Sequence, residues 1–228
     1  MKIFQLPEHP AALLFDMDST LYTNHEYARS QIDLPIKKLA ALQGKNFTEM
    51  QKSIKQFQDD WAAENPGKRI SMGNAFKSFG VGIEESIQWR EMLYEPERYL
   101  TFDQKLRDTL ASLATFYKLA VVTNNPVSIA RRTLACLGAD DLIPVIVGLD
   151  TCKVSKPHEA PFRKAAELCG VPVNSCVSIG DRFEIDITLP LEMGMGGILV
   201  DGVEDVYGLC DVRDIRVSAF RVNLSHGS

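Results

Sequence analysis

Apolar positions along the chain follow two different patterns, and the changes between them divide it. Residues 11–15 form a short apolar run between Pro10 and Asp16, the pattern of a buried strand. Between Leu21 and Tyr99 no convincing strand occurs. Apolar residues over 27–42 recur at helical spacing; Pro35 is expected to kink or divide that helix, and Gly44 to end it. Asn46 with Glu49 three positions on predicts a capping-box start. Phe47, Met50, Ile54, Phe57 and Trp61 follow at steps of three and four, and Asn65-Pro66-Gly67 stops the run. Residues 72–79 and 83–94 predict two more helices on either side of Gly80-Val81-Gly82, with Glu95-Pro96-Glu97 as the linker back. Core packing within a small helical bundle explains the aromatic stripe better than a cofactor box.

From Thr101 the two patterns alternate. Helices are predicted over 103–114, 126–137, 158–169 and 187–193, and strands over 119–122, 142–147, 176–179 and 197–200. Gly138 and Gly170 close two of the helices. Pro144 falls inside one strand, and Pro190 limits the last helix. Strands alternating with helices predict an α/β fold, with a parallel sheet and right-handed crossovers, interrupted after its first strand by a helical insertion. The tail beyond about Asp211 has no clear pattern, and its final Ser-His-Gly-Ser is expected to be disordered.

Composition narrows the class. The chain has 228 residues, 45% hydrophobic and 24% charged, as in ordinary soluble globular proteins. Its net charge of −5 argues against a nucleic-acid partner. A phosphate site here must rely on local cations and backbone dipoles. The five cysteines (Cys136, Cys152, Cys169, Cys176, Cys210) are odd in number and lack a C-x-x-C pair, which suits neither a zinc site nor a disulfide framework. Reduced thiols in a cytoplasmic protein are the simpler reading. No stretch has the length of a membrane span, and the amino terminus does not read as a signal peptide.

Polar chemistry gathers where predicted strands end. Asp16 and Asp18 follow the first strand. Thr123-Asn124-Asn125 follow the second, and there Thr123 could give a hydroxyl and Asn124 a backbone N–H to an oxyanion at a helix start. Lys156-Pro157 precede a helix, and Ser178-Ile179-Gly180-Asp181-Arg182-Phe183-Glu184-Ile185-Asp186 close a later strand. Taken singly these read as a solvated turn, an N-cap, a surface lysine and an acidic loop. Placed at one sheet edge, Asp16, Asp18, Asp181 and Asp186 form a negative cluster whose members raise each other's pKa unless cations compensate. Oxygen ligands beside a phosphate point to Mg²⁺, with Lys156 as a second positive charge. The four scattered histidines give zinc chemistry no support.

The segments F-D-M-D-S-T-L, V-V-T-N-N, K-P with Phe162 after it, and I-G-D-R-F-E-I-D occur in the order of the four motifs of the haloacid dehalogenase superfamily and resemble them. Gly194-Met195-Gly196-Gly197-Ile198-Leu199-Val200 is similar to the strand entry that follows the fourth motif. The resemblance implies a Rossmann-like core over residues 1–21 and 95–228, with a first-type α-helical cap over 22–94. It implies Asp16 as a nucleophile forming an aspartyl-phosphate, and Asp18 as the acid that protonates the leaving alcohol and then activates water. Mg²⁺ would be bound by the carboxylates of Asp16 and Asp181 and the backbone carbonyl of Asp18. Asp186 would hold a metal water or Lys156. Thr123, Asn124 and Lys156 would hold the phosphoryl oxygens.

Asp18 separates the family's chemistries. Halide displacement needs no acid, and the dehalogenases lack an aspartate there, so the resemblance implies a phosphatase. The expected substrate is a small phosphate ester: a nucleotide 5′-monophosphate, phosphoglycolate or a sugar phosphate. Asp-Ser-Thr-Leu-Tyr is also similar to the pyrimidine nucleotidase branch. A β-phosphoglucomutase-like phosphoryl transferase and a non-catalytic phospho-ligand sensor are the alternatives. A monomer or homodimer is expected. His25, Tyr27 and Arg29 are candidate specificity contacts, with Tyr27 otherwise a core residue and His25 and Arg29 surface residues.

Overall fold

A computed structural model describes residues 1–67 and 69–211. The sequence-predicted tail after Asp211 lies outside the described residues. The chain opens with a two-residue strand, β1 (Lys2–Ile3), and then enters β2 (Ala12–Phe15). Four helices follow: α1 (His25–Leu42), α2 (Phe47–Glu64), α3 (Met72–Ser78) and α4 (Ile83–Leu93). A 3₁₀ turn at Pro96–Arg98 leads back to α5 (Gln104–Ala114) and β3 (Lys118–Val122). Next come α6 (Val127–Leu137), β4 (Val145–Val147), α7 (Leu149–Cys152), α8 (Glu159–Cys169) and β5 (Cys176–Gly180). A π-helical turn at Phe183–Ile187 runs into α9 (Thr188–Glu192), followed by β6 (Gly196–Leu199) and α10 (Val203–Tyr207).

The six strands form one sheet in the order β1-β6-β5-β2-β3-β4. All neighbours are parallel except β1, which runs antiparallel on β6. Strand β2 is apolar at every position because both of its faces are covered. Leu13 and Phe15 point into one core with Leu110, Val121, Leu134 and Ile179, while Ala12 and Leu14 point into the other with Val122, Phe162 and Met195. The sheet is thus an α/β Rossmann-like layer with helices on both faces, as the alternating pattern predicts.

The four helices after β2 carry a separate core of Ile36, Leu39, Met50, Ile54, Phe76 and Trp89. The capping box of Asn46 and Glu49 is present, with both hydrogen bonds made. Pro35 lies inside α1 without dividing it, the second of the two effects expected of it. A proline at that position leaves the Gln31 carbonyl without its usual donor four residues on. The Tyr94 hydroxyl donates to that carbonyl instead, at 2.7 Å. The strand predicted over 142–147 begins only at Val145, since Pro144 offers no backbone donor to a ladder. Among the described residues no helix is long and apolar enough to cross a membrane. All five cysteines are free.

Leu14 is buried at the centre of the sheet. Leu14→Ala is expected to lower the unfolding free energy by about 2–5 kcal/mol, read as a lower urea midpoint at unchanged m.

Candidate active site

Strands β2, β3 and β5 end side by side, and β2 is where the strand order reverses direction. A parallel sheet binds ligands at such a place, beyond its carboxyl edge. Asp16 directly follows β2; its backbone N–H donates to Ile179 on β5 at 2.7 Å. Met17 is buried and its carbonyl accepts from the N–H groups of Thr20 and Leu21, so the chain turns sharply. Ser19 takes the left-handed conformation (φ 59°) within this turn, which leaves Asp16 and Asp18 in different surroundings.

Asp16 faces inward. Its Oδ1 accepts from the Lys156 ammonium at 2.8 Å, and the same ammonium donates to Asp186 Oδ1 at 2.7 Å. All three residues are buried. Asn124, after β3, fixes the lysine: its Oδ1 accepts from the Lys156 backbone N–H at 2.7 Å, and its Nδ2 donates to the Lys156 carbonyl at 3.2 Å. Asp186 is placed by the Ser178 hydroxyl, which donates to its carbonyl at 2.7 Å, and by the Arg182 N–H, which donates to its Oδ2 at 3.1 Å. Gly180 makes room for it, since a Cβ there would lie 2.5 Å from the Asp186 Cβ. Thr123 is buried, and its Oγ accepts from the Asn125 N–H at 3.1 Å.

Asp18 faces the helical insert. Its Oδ1 accepts from the Tyr22 hydroxyl and, at 3.0 Å, from Gln31 Nε2 on α1. Its Oδ2 accepts from Asn125 Nδ2 at 2.8 Å. The two aspartates therefore titrate in opposite directions. Burial alone would push the Asp16 carboxyl up, but the Lys156 and Arg182 charges outweigh it and hold the group below the usual range. Burial and the negative charge of Asp16 raise Asp18, against the hydrogen bonds from Tyr22 and Gln31. Burial also raises Asp186 against the pull of Lys156. Asp181 is pushed up to about 7, first by burial and then by Asp16.

The carboxylates of Asp16, Asp181 and Asp186 each offer an oxygen, and these lie within 4.8 Å of one another. Asp16 Oδ2 and Asp181 Oδ1 are buried and accept no hydrogen bond. Two donor-less carboxylate oxygens in an all-oxygen cluster suit a hard divalent cation. The Arg182 guanidinium, half-exposed, stands 3.6–3.8 Å from all three carboxylates. The Asp18 carboxylate is not part of this cluster: it accepts from Tyr22, Gln31 and Asn125, and the metal role expected of Asp18 is that of its backbone carbonyl.

The model of the haloacid dehalogenase-like hydrolases matches residues 10–194. The chain belongs to that family. It is similar to the phosphoglycolate phosphatase of Xanthomonas campestris pv. campestris (strain 8004), with 27% identity over 201 residues, 83% of this chain and 82% of the relative. Identity to the phosphoglycolate phosphatase of Colwellia psychrerythraea is 35% over 80 residues, a stretch spanning 35% of each chain. In structure it is similar to a haloacid dehalogenase-like family hydrolase from Xanthomonas campestris, with a TM-score of 0.56 and 18% identity, covering 96% of this chain and 97% of the other. That likeness speaks for the fold. The expectation of a phosphatase rather than a dehalogenase is the one that the named sequence relatives support.

In this hydrolase a crevice of about 220 Å³ lies between the strand ends and the helical insert, lined among others by Asp18, Gln31, Phe76, Arg90, Asn125 and Arg182. The sequence-proposed contacts lie elsewhere. Tyr27 is buried and stacks on Tyr99 at 5.2 Å, and His25 and Arg29 are exposed. Gln31, Arg90 and Asn125 line the crevice. Arg90 had a legible signal: with Ile83, Ile87 and Tyr94 it occupies a register of four-three-four steps that otherwise holds apolar or aromatic residues.

Because the fold raises Asp181 from 3.8 to about 7, it favours the neutral carboxyl. Its destabilising effect sets in above the unfolded value and is complete above the folded one. In chelated, metal-free buffer Asp181→Asn is therefore expected to melt higher than wild type at pH 8, with the gap closing toward pH 5. A gap that does not change with pH contradicts this.

Proposed function

We propose that the protein hydrolyses phosphate monoesters of small metabolites through a phosphoryl-Asp16 intermediate. The observation that carries this reading is the pair Asp16 and Asp18, two residues apart: Asp16 accepts from the Lys156 ammonium at 2.8 Å and is shifted down, whereas Asp18 has the neutral partners Tyr22, Gln31 and Asn125 and is shifted up. A nucleophile must be ionised and a general acid must hold its proton, and the surroundings of these two groups favour that division. In the first step a carboxylate oxygen of Asp16 attacks phosphorus, the bond from phosphorus to the ester oxygen breaks, and Asp18 gives that oxygen its proton. In the second, Asp18 takes a proton from water as the water oxygen attacks phosphorus, and Asp16 leaves as a free carboxylate.

The buried Lys156 ammonium, the Thr123 hydroxyl and the backbone N–H of Asn124 are proposed to hold the phosphoryl oxygens. Mg²⁺ is the proposed ion for the carboxylates of Asp16 and Asp181 and the Asp18 carbonyl. Asp186 would hold a metal water or, as its 2.7 Å hydrogen bond supports, Lys156. When bound, the ion would draw charge from the transferring group. Residues 22–94 are proposed to act as a cap that closes over the crevice, excludes bulk water and reads the leaving group. Phosphoglycolate, on which the named relatives act, is one candidate substrate.

The test uses 4-nitrophenyl phosphate with Mg²⁺. Asp16→Asn should lose about 10³-fold or more in kcat. Asp18→Asn should lose about 10²–10⁴-fold on alkyl esters, whose leaving oxygen needs a proton, and less on the aryl ester, whose leaving group does not. Full activity in Asp16→Asn would exclude Asp16 as the nucleophile.

A further inference from the structure

Among the described residues lining the crevice, two carry positive charge: Arg182 and Arg90. Arg182 is matched by three carboxylates. Arg90 is matched by none. Its side chain is 8% exposed, yet no ion pair to it occurs among the described residues. Its Nη1 donates to the Asn124 carbonyl and, at 3.1 Å, to Asn125 Oδ1. Those neutral acceptors engage one corner of a five-donor fork. The rest of the guanidinium lies against a bare wall: a Cβ at Gly73 would stand 3.5 Å from Arg90 Nη2 and 3.4 Å from the Ser155 hydroxyl. A buried charge without a counter-ion is costly, and a site that keeps one is built for an anion that arrives with its ligand.

The position of Arg90 says which part of the ligand that anion belongs to. Asn125 bridges the arginine to the acid, accepting from Arg90 and donating to Asp18 Oδ2 at 2.8 Å. Arg90 is therefore one amide away from the group proposed to protonate the leaving oxygen. The crevice of about 220 Å³ is smaller than ordinary ligand pockets of about 300–1,000 Å³ and leaves little room for a nucleoside. A planar guanidinium fork matches a carboxylate. We propose that Arg90 forms a leaving-group subsite for a carboxylate, so that the preferred substrates are short phosphate esters bearing a carboxylate one or two carbons from the ester oxygen. This rests on the phosphatase reading and adds its specificity.

The direct comparison is 2-phosphoglycolate against ethyl phosphate, which differ in a carboxylate against a methyl group, with 5′-UMP as the large-substrate arm. Wild type should prefer 2-phosphoglycolate to both in kcat/KM. In Arg90→Gln the preference for 2-phosphoglycolate over ethyl phosphate should fall on the order of 10–100-fold, mainly through KM, and Arg90→Lys should recover part of it. Any loss through the Asn125–Asp18 link would lower both esters together and leave that ratio alone. An unchanged ratio in both variants, or a wild type that favours ethyl phosphate or 5′-UMP, overturns the subsite. Hydrolysis of 4-nitrophenyl phosphate by the same wild-type preparation shows whether the phosphatase reading survives that outcome; no hydrolysis of any ester overturns both.

Discussion

The Lys156 ammonium, buried between Asp16 and Asp186 at 2.8 and 2.7 Å, is the interaction on which the rest of the site depends. Three ionisable groups taken out of water are tolerated only when each has its partners, and here each is placed by a different strand end. Asp16 follows β2. Lys156 is held by the Asn124 amide after β3, and Asp186 is seated against Gly180 and Ser178 of β5. Removing any one would leave the others uncompensated. The triad explains how the Asp16 carboxyl, at a crowded acidic edge, is shifted down while its neighbour two residues on is shifted up.

The helical insert reaches the chemistry through a small number of polar contacts. Pro35 deprives the Gln31 carbonyl of its helical donor, and Tyr94 at the end of α4 supplies a hydroxyl in its place. The Gln31 side chain, from the same turn, donates to Asp18. Arg90 of α4 reaches Asn125, which donates to the other oxygen of Asp18. Both oxygens of this carboxylate are thus linked to the insert, whereas Asp16 is held wholly by the sheet edge. Movement of the insert would alter the surroundings of Asp18 first.

Much of this was legible in the chain. Period and capping located the four inserted helices and the alternating core, because burial on one helix face or both sheet faces leaves a pattern in sequence. The strand β1 left no such trace; two residues on a sheet edge carry no period. Pro35 does not divide its helix, and the carbonyl it leaves without a helical donor accepts from a hydroxyl far along the chain. Asp16, Asp181, Asp186 and Lys156 do converge, as the strand-end positions implied. The side-chain role of Asn124 was not visible, because a residue's partner 32 positions on is a property of the fold. Arg90 was visible only as an interruption of an apolar register, and the exposed His25 and Arg29 drew attention simply by following the first motif.

The most direct measurement is to trap the intermediate. Enzyme turning over a phosphate ester is quenched, treated with borohydride, digested and mapped by mass spectrometry. The account predicts reduction of residue 16 to homoserine, dependent on substrate and absent from every other aspartate. A covalent phosphate on a different residue, or turnover in which Asp16 is never modified, would contradict it.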